Sequence, residues 1–374
     1  DKNMDFDFSD DQQALREAVA KWVEKSYGFE RRQRIVAAGG FDRAVYNELA
    51  ELGLTGIYIS EDHGGLGMGP VEAMVVLEEL GKGIVMEPLI QAFVTSAAIG
   101  AYGNEAVQAQ WLPKIASGEA LVVLAHQERK ARYRLDVCEA KATQAGAGYA
   151  VTAIKNIVPA GDQADAFVVP AMLDGQLALF LVERGAAGVH TRGYLTQDES
   201  RAADVQLDNA HATLVTTDGL AALSYAVDVG IACVCADGVG TMERFLSMTV
   251  DYMNQRKQFG VAIASFQALR HRVSDMKMQL ELARSMSYYA TLKLGADEGE
   301  RRQALSRAKV QLGQSLRFVG QQGVQLHGGI GVTDEYAGSH YFKHLTQLEI
   351  AYGDALHHLG EVNERMTESA GVFA

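Results

Sequence analysis

Proline is scarce in this 374-residue sequence, with five in all, and so are cysteine, with three, and tryptophan, with two. So few prolines leave room for long uninterrupted helices. Cys138, Cys233 and Cys235 cannot build a disulfide framework and suit a reducing compartment. Cys233 and Cys235 stand two apart in a helical pattern and face different sides, which favours buried thiols over a metal site. Positive charge is in deficit. A net charge of −13 argues against a nucleic-acid or anionic-membrane surface, a local basic patch aside. No uninterrupted apolar run reaches roughly 18 residues, so no membrane span is expected. The N-terminus is acidic and lacks a secretory pattern, so a cytoplasmic location is expected, with Met4 read as the natural start.

What is present is a hydrophobic fraction of 48% on a chain long enough for two or three domains. Up to about residue 118 the pattern is helical. Ser9 and Gln12 form a capping box ahead of a Leu15, Val19, Trp22, Val23 stripe. Pro70 opens a helix carrying Val71, Met74, Leu77 and Leu80, with Gly81 placed to end it. From 119 to 216 short β-type runs take over: Leu121 to Leu124, Ala166 to Val169 and Leu177 to Val182. Asp174-Gly175 is a hairpin signal between the last two. Closely spaced strands without helices between them predict a small antiparallel barrel or sandwich. From 217 to 374 helices return. Leu269, Val273, Met276, Leu280 and Ala283 repeat at helical spacing, as do Leu305, Ala308, Leu312, Leu316 and Val319, which suits an antiparallel bundle. Gly230, Gly238 and Gly240 would each cost roughly 1 kcal/mol against alanine in a helix, and close packing would explain them.

The most informative run is Tyr252-Met253-Asn254-Gln255-Arg256-Lys257-Gln258-Phe259-Gly260, followed by Phe266-Gln267. An arginine in the last turn of a helix can pair two phosphate oxygens, and Gly260 can stop that helix in a left-handed conformation. The plain alternative is an arginine favoured there by the helix dipole alone. Downstream, Gln325-x-x-Gly328-Gly329-x-Gly331 lets backbone approach a bulky ligand while Gln325 offers donor and acceptor; alone it is also an ordinary helix-ending turn. Glu61-x-x-Gly64-Gly65-Leu66-Gly67 and Leu112-Pro113…Gly118-Glu119 complete the set.

Together these motifs resemble those of the acyl-CoA dehydrogenases along nearly the whole chain. The resemblance implies a mainly α fold with a central β domain: an N-terminal helical domain (1–118), a middle antiparallel β-barrel or sandwich (119–216) and a C-terminal four-helix bundle (217–374). It also implies FAD, an acyl-CoA substrate undergoing α,β-desaturation, an electron-transfer flavoprotein or similar acceptor, a homo- or hetero-tetramer, and a role in fatty or dicarboxylic acid degradation. Carried over by motif, Arg256, Gln258, Phe259, Phe266, Gln267, Gln325, Gly328 and Gly329 contact the FAD of a neighbouring subunit. Gln127-Glu128 stands in the place of a flavin-contacting Thr-Glu pair. Asp228 resembles a residue that lines the CoA arm, and the basic run Arg129 to Arg134 could meet CoA phosphates or be a solvated loop.

Two departures stand out. Lys155-Asn156-Ile157-Val158-Pro159 aligns with a strand whose tryptophan covers the isoalloxazine, and here no tryptophan is present. The catalytic glutamate is missing as well: its place reads Tyr352, in Ile350-Ala351-Tyr352-Gly353-Asp354. Desaturation needs a carboxylate with a raised pKa to take the α-proton. A phenol with a pKa near ~10 is a poor base, so Tyr352 is read first as an aromatic core residue and otherwise as a substrate contact. Asp354 would sit about 160° around a helix from it. The second family position for a base falls at Gly230, which has no side chain. Glu87 is the remaining candidate, projecting into the acyl pocket. His340 with His344, and His357-His358, are read as solvated helix histidines rather than metal ligands. Three functions follow: a flavin-dependent dehydrogenase; a base-less subunit of a hetero-oligomeric dehydrogenase, as in degradation of pimeloyl-type or steroid-side-chain acyl-CoAs; or different flavin chemistry that needs no base.

Overall fold

Ser9 Oγ accepts from Gln12 N at 3.2 Å and Gln12 Oε1 accepts from Ser9 N at 3.0 Å, so the capping box forms and opens the first helix. The computed structural model describes residues 8–369, with side chains through 366; Met4 lies outside them. Six helices come first: α1 (Asp10–Ser26), α2 (Phe29–Ala37), α3 (Arg43–Glu51), α4 (Pro70–Lys82), α5 (Leu89–Tyr102) and α6 (Glu105–Ala116). Pro70 is the first residue of α4 as expected, but the helix runs through Gly81 to end before Gly83.

Seven strands follow: β1 (Val122–Leu124), β2 (Lys141–Ala145), β3 (Gly148–Pro159), β4 (Ala166–Leu173), β5 (Gln176–Glu183), β6 (Val189–Leu195) and β7 (Arg201–Thr216). Asp174 and Gly175, at φ +49° and +84°, make the tight turn joining β4 to β5. The order β4-β2-β3-β7-β5 closes back on β4, giving a small barrel filled by Phe167, Phe180, Val151 and Leu207. Most pairings are antiparallel; β1 with β4 and the single contact of β2 with β4 are parallel.

The remainder is α7 (Gly219–Gln255), a two-residue hairpin β8 (Lys257–Gln258) and β9 (Val261–Ala262), then α8 (Gln267–Lys293), α9 (Glu298–His327), α10 (Ala337–Ile350) and α11 (Ala355–Ser369). α7 runs unbroken through its glycines because close packing needs them. A Cβ at Gly238 would stand 2.9 Å from Leu316, and one at Gly240 would strike the carbonyl of Glu78. By length and composition α7 could cross a bilayer, yet 83% of its most apolar stretch is buried among the other helices. Cys233 and Cys235 are core thiols within it.

Helices from both ends of the chain share one core. Leu77 and Leu80 of α4 and Phe93 of α5 pack with Val234 of α7 and Leu305 and Leu312 of α9. Each such side chain, fully buried, is worth about 1.5–3 kcal/mol, so the first and last segments stabilise each other. Charged residues tie the barrel to this core. Buried Arg32 donates to Asp198 O (2.7 Å) and to Ile84 O, and pairs with Glu199 (3.3 Å). His344 of α10 bridges Asp198 of the β6–β7 loop (2.8 Å) and Asp237 of α7 (3.0 Å). These two carboxylates overcome burial and push the His344 imidazolium up to about 10. His340 and His344 are therefore not solvated: both are buried, His340 Nδ1 lying 3.0 Å from Glu199 Oε2 and His344 held between its two carboxylates.

Candidate functional site

One cavity of about 430 Å³ lies where the barrel meets the shared helical core. Leu77, Leu80, Leu89, Leu124, Val234 and Leu348 give it an apolar body. At its rim the exposed Arg129 and Arg132 have no carboxylate partner among the described residues. The rest of that basic run is spoken for: Lys130 pairs with Glu139 and Arg134 with Asp136, both at 2.6 Å. Two exposed cations beside an apolar cavity can take an anionic group whose attached tail is greasy.

Tyr352 reaches the cavity from the turn between α10 and α11. Its φ of +55° is unusual for a bulky residue, and three restraints hold the turn. Fully buried Lys309 donates to the carbonyls of Leu348 (3.1 Å), Glu349 (2.7 Å) and Gly353 (2.8 Å). Burial pulls its ammonium down to about 8, against the opposing pull of nearby Cys235, Glu349 and Asp354. The third restraint, after Gly353 in a left-handed conformation, is His358, whose Nε2 bonds Tyr352 O at 2.9 Å. His358 is thus buried rather than solvated. The ring of Tyr352 stacks near-parallel on His126 at 6.1 Å and receives a hydrogen bond from Gln91 Nε2 at 2.9 Å. Burial raises the phenol pKa well above its ordinary value, so it holds its proton.

The other candidate acids and substrate contacts fare differently. Asp354 does not line the cavity; it is in a turn, not a helix, and accepts from His357 N at 2.8 Å to start α11. Asp228 is fully buried away from the cavity, its oxygens bound by Arg301 Nε (2.8 Å) and Arg302 Nη1 (2.6 Å), which leaves nothing for CoA. Glu128 is saturated by Lys155 Nζ (2.7 Å) and the amides of Glu139 and Ala140. Glu87 does line the cavity, and burial pushes its carboxyl up to about 7. Its Oε1 accepts from Asp42 N at 3.3 Å and its Oε2 is closed off from solvent.

The flavin-motif residues divide into two sets. Gln127, Asn156, Ile157 and Pro159 line the cavity; Ile157 takes the tryptophan's place at a bulge in β3, with φ +51°. Arg256, Gln258, Phe259, Phe266, Gln267, Gln325, Gly328 and Gly329 do not line it, and all are exposed. Arg256 is not in the last turn of α7. The helix ends at Gln255, and Arg256 begins an extended hairpin whose tip is Phe259 and Gly260. Gly260, at φ +82°, turns the hairpin rather than ending the helix. Phe259 is 91% exposed, braced only edge-on by Phe266. No Cβ at Gly328 or Gly329 would meet any atom within 4 Å, so that surface is open to a ligand from outside.

Family models for the acyl-CoA dehydrogenase N-terminal domain (residues 9–119) and C-terminal domain (217–367) match this chain. The chain belongs to the acyl-CoA dehydrogenase family, whose cofactor is FAD. It is 27% identical to acyl-CoA dehydrogenase FadE27 of Mycobacterium tuberculosis, over 88% of this chain and 89% of that one. It is 28% identical to acyl-CoA dehydrogenase IpdE2 of the same organism, covering 89% and 90%. Among solved structures, the ChsE4-ChsE5 complex from M. tuberculosis superposes with a TM-score of 0.89 at 26% identity, covering 98% of this chain and all of that one.

Proposed function

We infer that this chain is the base-less subunit of a hetero-oligomeric acyl-CoA dehydrogenase, lending its exposed hairpin and Gln325, in the last turn of α9, to a flavin whose ring sits on a homologous, glutamate-bearing partner. The carrying observation is the split of the motif residues. Every residue matched to the dinucleotide end of FAD is exposed and away from the chain's own cavity, whereas the ring-side positions line that cavity and are eroded. When FAD is bound it supplies the hydride acceptor; this chain supplies a fork of charge-assisted donors at Arg256 and an aromatic face at Phe259. In its own cavity Tyr352 replaces the carboxylate, and a phenol that keeps its proton takes none from an α-carbon. That ChsE4-ChsE5 is a complex of two named chains fits the same design.

The test is purification with and without a glutamate-bearing homologue. The chain alone should be colourless, and the co-assembly should be yellow and reduce a dye with acyl-CoA. A yellow, active protein made of this chain alone would overturn the reading. The raised carboxyl of Glu87 favours a second reading, an autonomous dehydrogenase with Glu87 as base. Under it, Glu87→Gln abolishes dye reduction; under ours it leaves co-assembly turnover intact.

A further inference from the structure

The orientation of one amide fixes what Tyr352 offers. Leu124 N donates to Gln91 Oε1 at 3.0 Å, which identifies that atom as oxygen and leaves Nε2 to face Tyr352. Gln91 Nε2 can only donate, and it does so to the Tyr352 hydroxyl at 2.9 Å. The hydroxyl proton is therefore free, and no group among the described residues accepts it. Gln91 is itself 4% exposed, its side-chain amide fixed at both ends by Leu124 N and the Tyr352 hydroxyl. A second buried polar atom, Nδ1 of His126, has no partner, and its ring stacks on that of Tyr352. An apolar cavity that ends in a preorganised donor is built for a ligand with an acceptor oxygen.

We propose that Tyr352 donates a hydrogen bond to the carbonyl oxygen of the cavity's occupant, an acyl thioester that this chain binds without desaturating it. The chemistry of the position explains the choice. The family resemblance places a base here, within reach of the α-carbon; the thioester oxygen lies two bonds from that carbon, so a donor at this position can meet it. That the thioester stays saturated rests on the base-less reading above; the donor role of Tyr352 does not. The rim arginines suit the anionic nucleotide end of such a ligand.

The probes are octanoyl-CoA and the thioether S-octyl-CoA, which lacks the carbonyl, with binding measured by calorimetry on the full chain and on its co-assembly. Wild type should bind the thioester about tenfold more tightly, the worth of one good buried hydrogen bond. Tyr352→Phe should erase that preference by weakening only the thioester. Gln91→Glu should erase it too while keeping the hydroxyl, because a carboxylate there accepts the Tyr352 proton and turns it away from the cavity. Equal affinity of wild type for the two probes, binding of neither, or a preference that survives both variants would overturn the proposal. Bleaching of flavin absorbance by octanoyl-CoA on the chain alone would instead defeat the base-less reading and leave the donor assignment standing.

Discussion

The ring of Tyr352 lies so close to Gly230 that a Cβ added there would stand 2.5 Å from Cζ. The two positions where the family resemblance places a base are thus filled by a single phenol lying over a single glycine. Neither position carries a carboxylate, and each accounts for the other: the glycine makes room for the ring, and the ring fills the space a side chain at 230 would need.

Gly230→Ala should therefore destabilise by about 1–3 kcal/mol, as overpacking a tight core does. Combining it with Tyr352→Ala should cost less than the sum of the two single changes, because the clash then has no second partner. Thermal or denaturant melts of the three variants check this; strict additivity would mean that the two residues do not meet.

Lys309→Met should lower stability by about 1–3 kcal/mol or more, since three buried carbonyls lose their donor at once. Its distinctive effect should be local. The 348–353 turn opens, so hydrogen exchange at Gly353 and His358 should quicken more than exchange in the barrel. Uniform quickening would place Lys309 in general packing only.

The His344 bridge makes stability fall with alkaline pH. Its folded pKa, about 10, exceeds the ordinary value of 6.5 that the unfolded chain shows, so its contribution is complete below about pH 6.5 and disappears as pH rises through 10. Asp198, held down to about 2, works at the other end: its contribution is present above the usual carboxylate range and is lost as pH falls through 2. Denaturant midpoints should drop between pH 7 and 10, and His344→Gln should flatten that slope. An unchanged slope would contradict the bridge.

Local chemistry was legible in the sequence wherever neighbours in the chain determine the outcome. The Ser9 box, the Asp174-Gly175 turn and the Leu305 to Val319 stripe all formed, because cap, turn and helical face depend on residues at most a few turns apart. Pairings across the fold left no such trace. His344 meets partners 146 and 107 positions away, and Asp228 meets Arg301 and Arg302 more than 70 positions on, so a solvated histidine and a CoA contact were both read where buried ion pairs stand. The wiring of Gln91 to Tyr352 spans 261 positions and was equally hidden. The apolar pattern of α7 continues up to Arg256 and predicts a helix there, whereas the helix ends at Gln255 and the chain turns out into a hairpin.

We propose that Arg256 grips a flavin belonging to the assembly rather than to this chain's own cavity, and flavin occupancy of the co-assembly measures it directly. With Arg256→Gln in this chain and an unaltered glutamate-bearing partner, FAD affinity should fall about tenfold to a hundredfold, the loss of charge-assisted bonds to phosphate, while the complex stays intact by sedimentation. Full FAD occupancy at wild-type affinity in that variant would contradict the account.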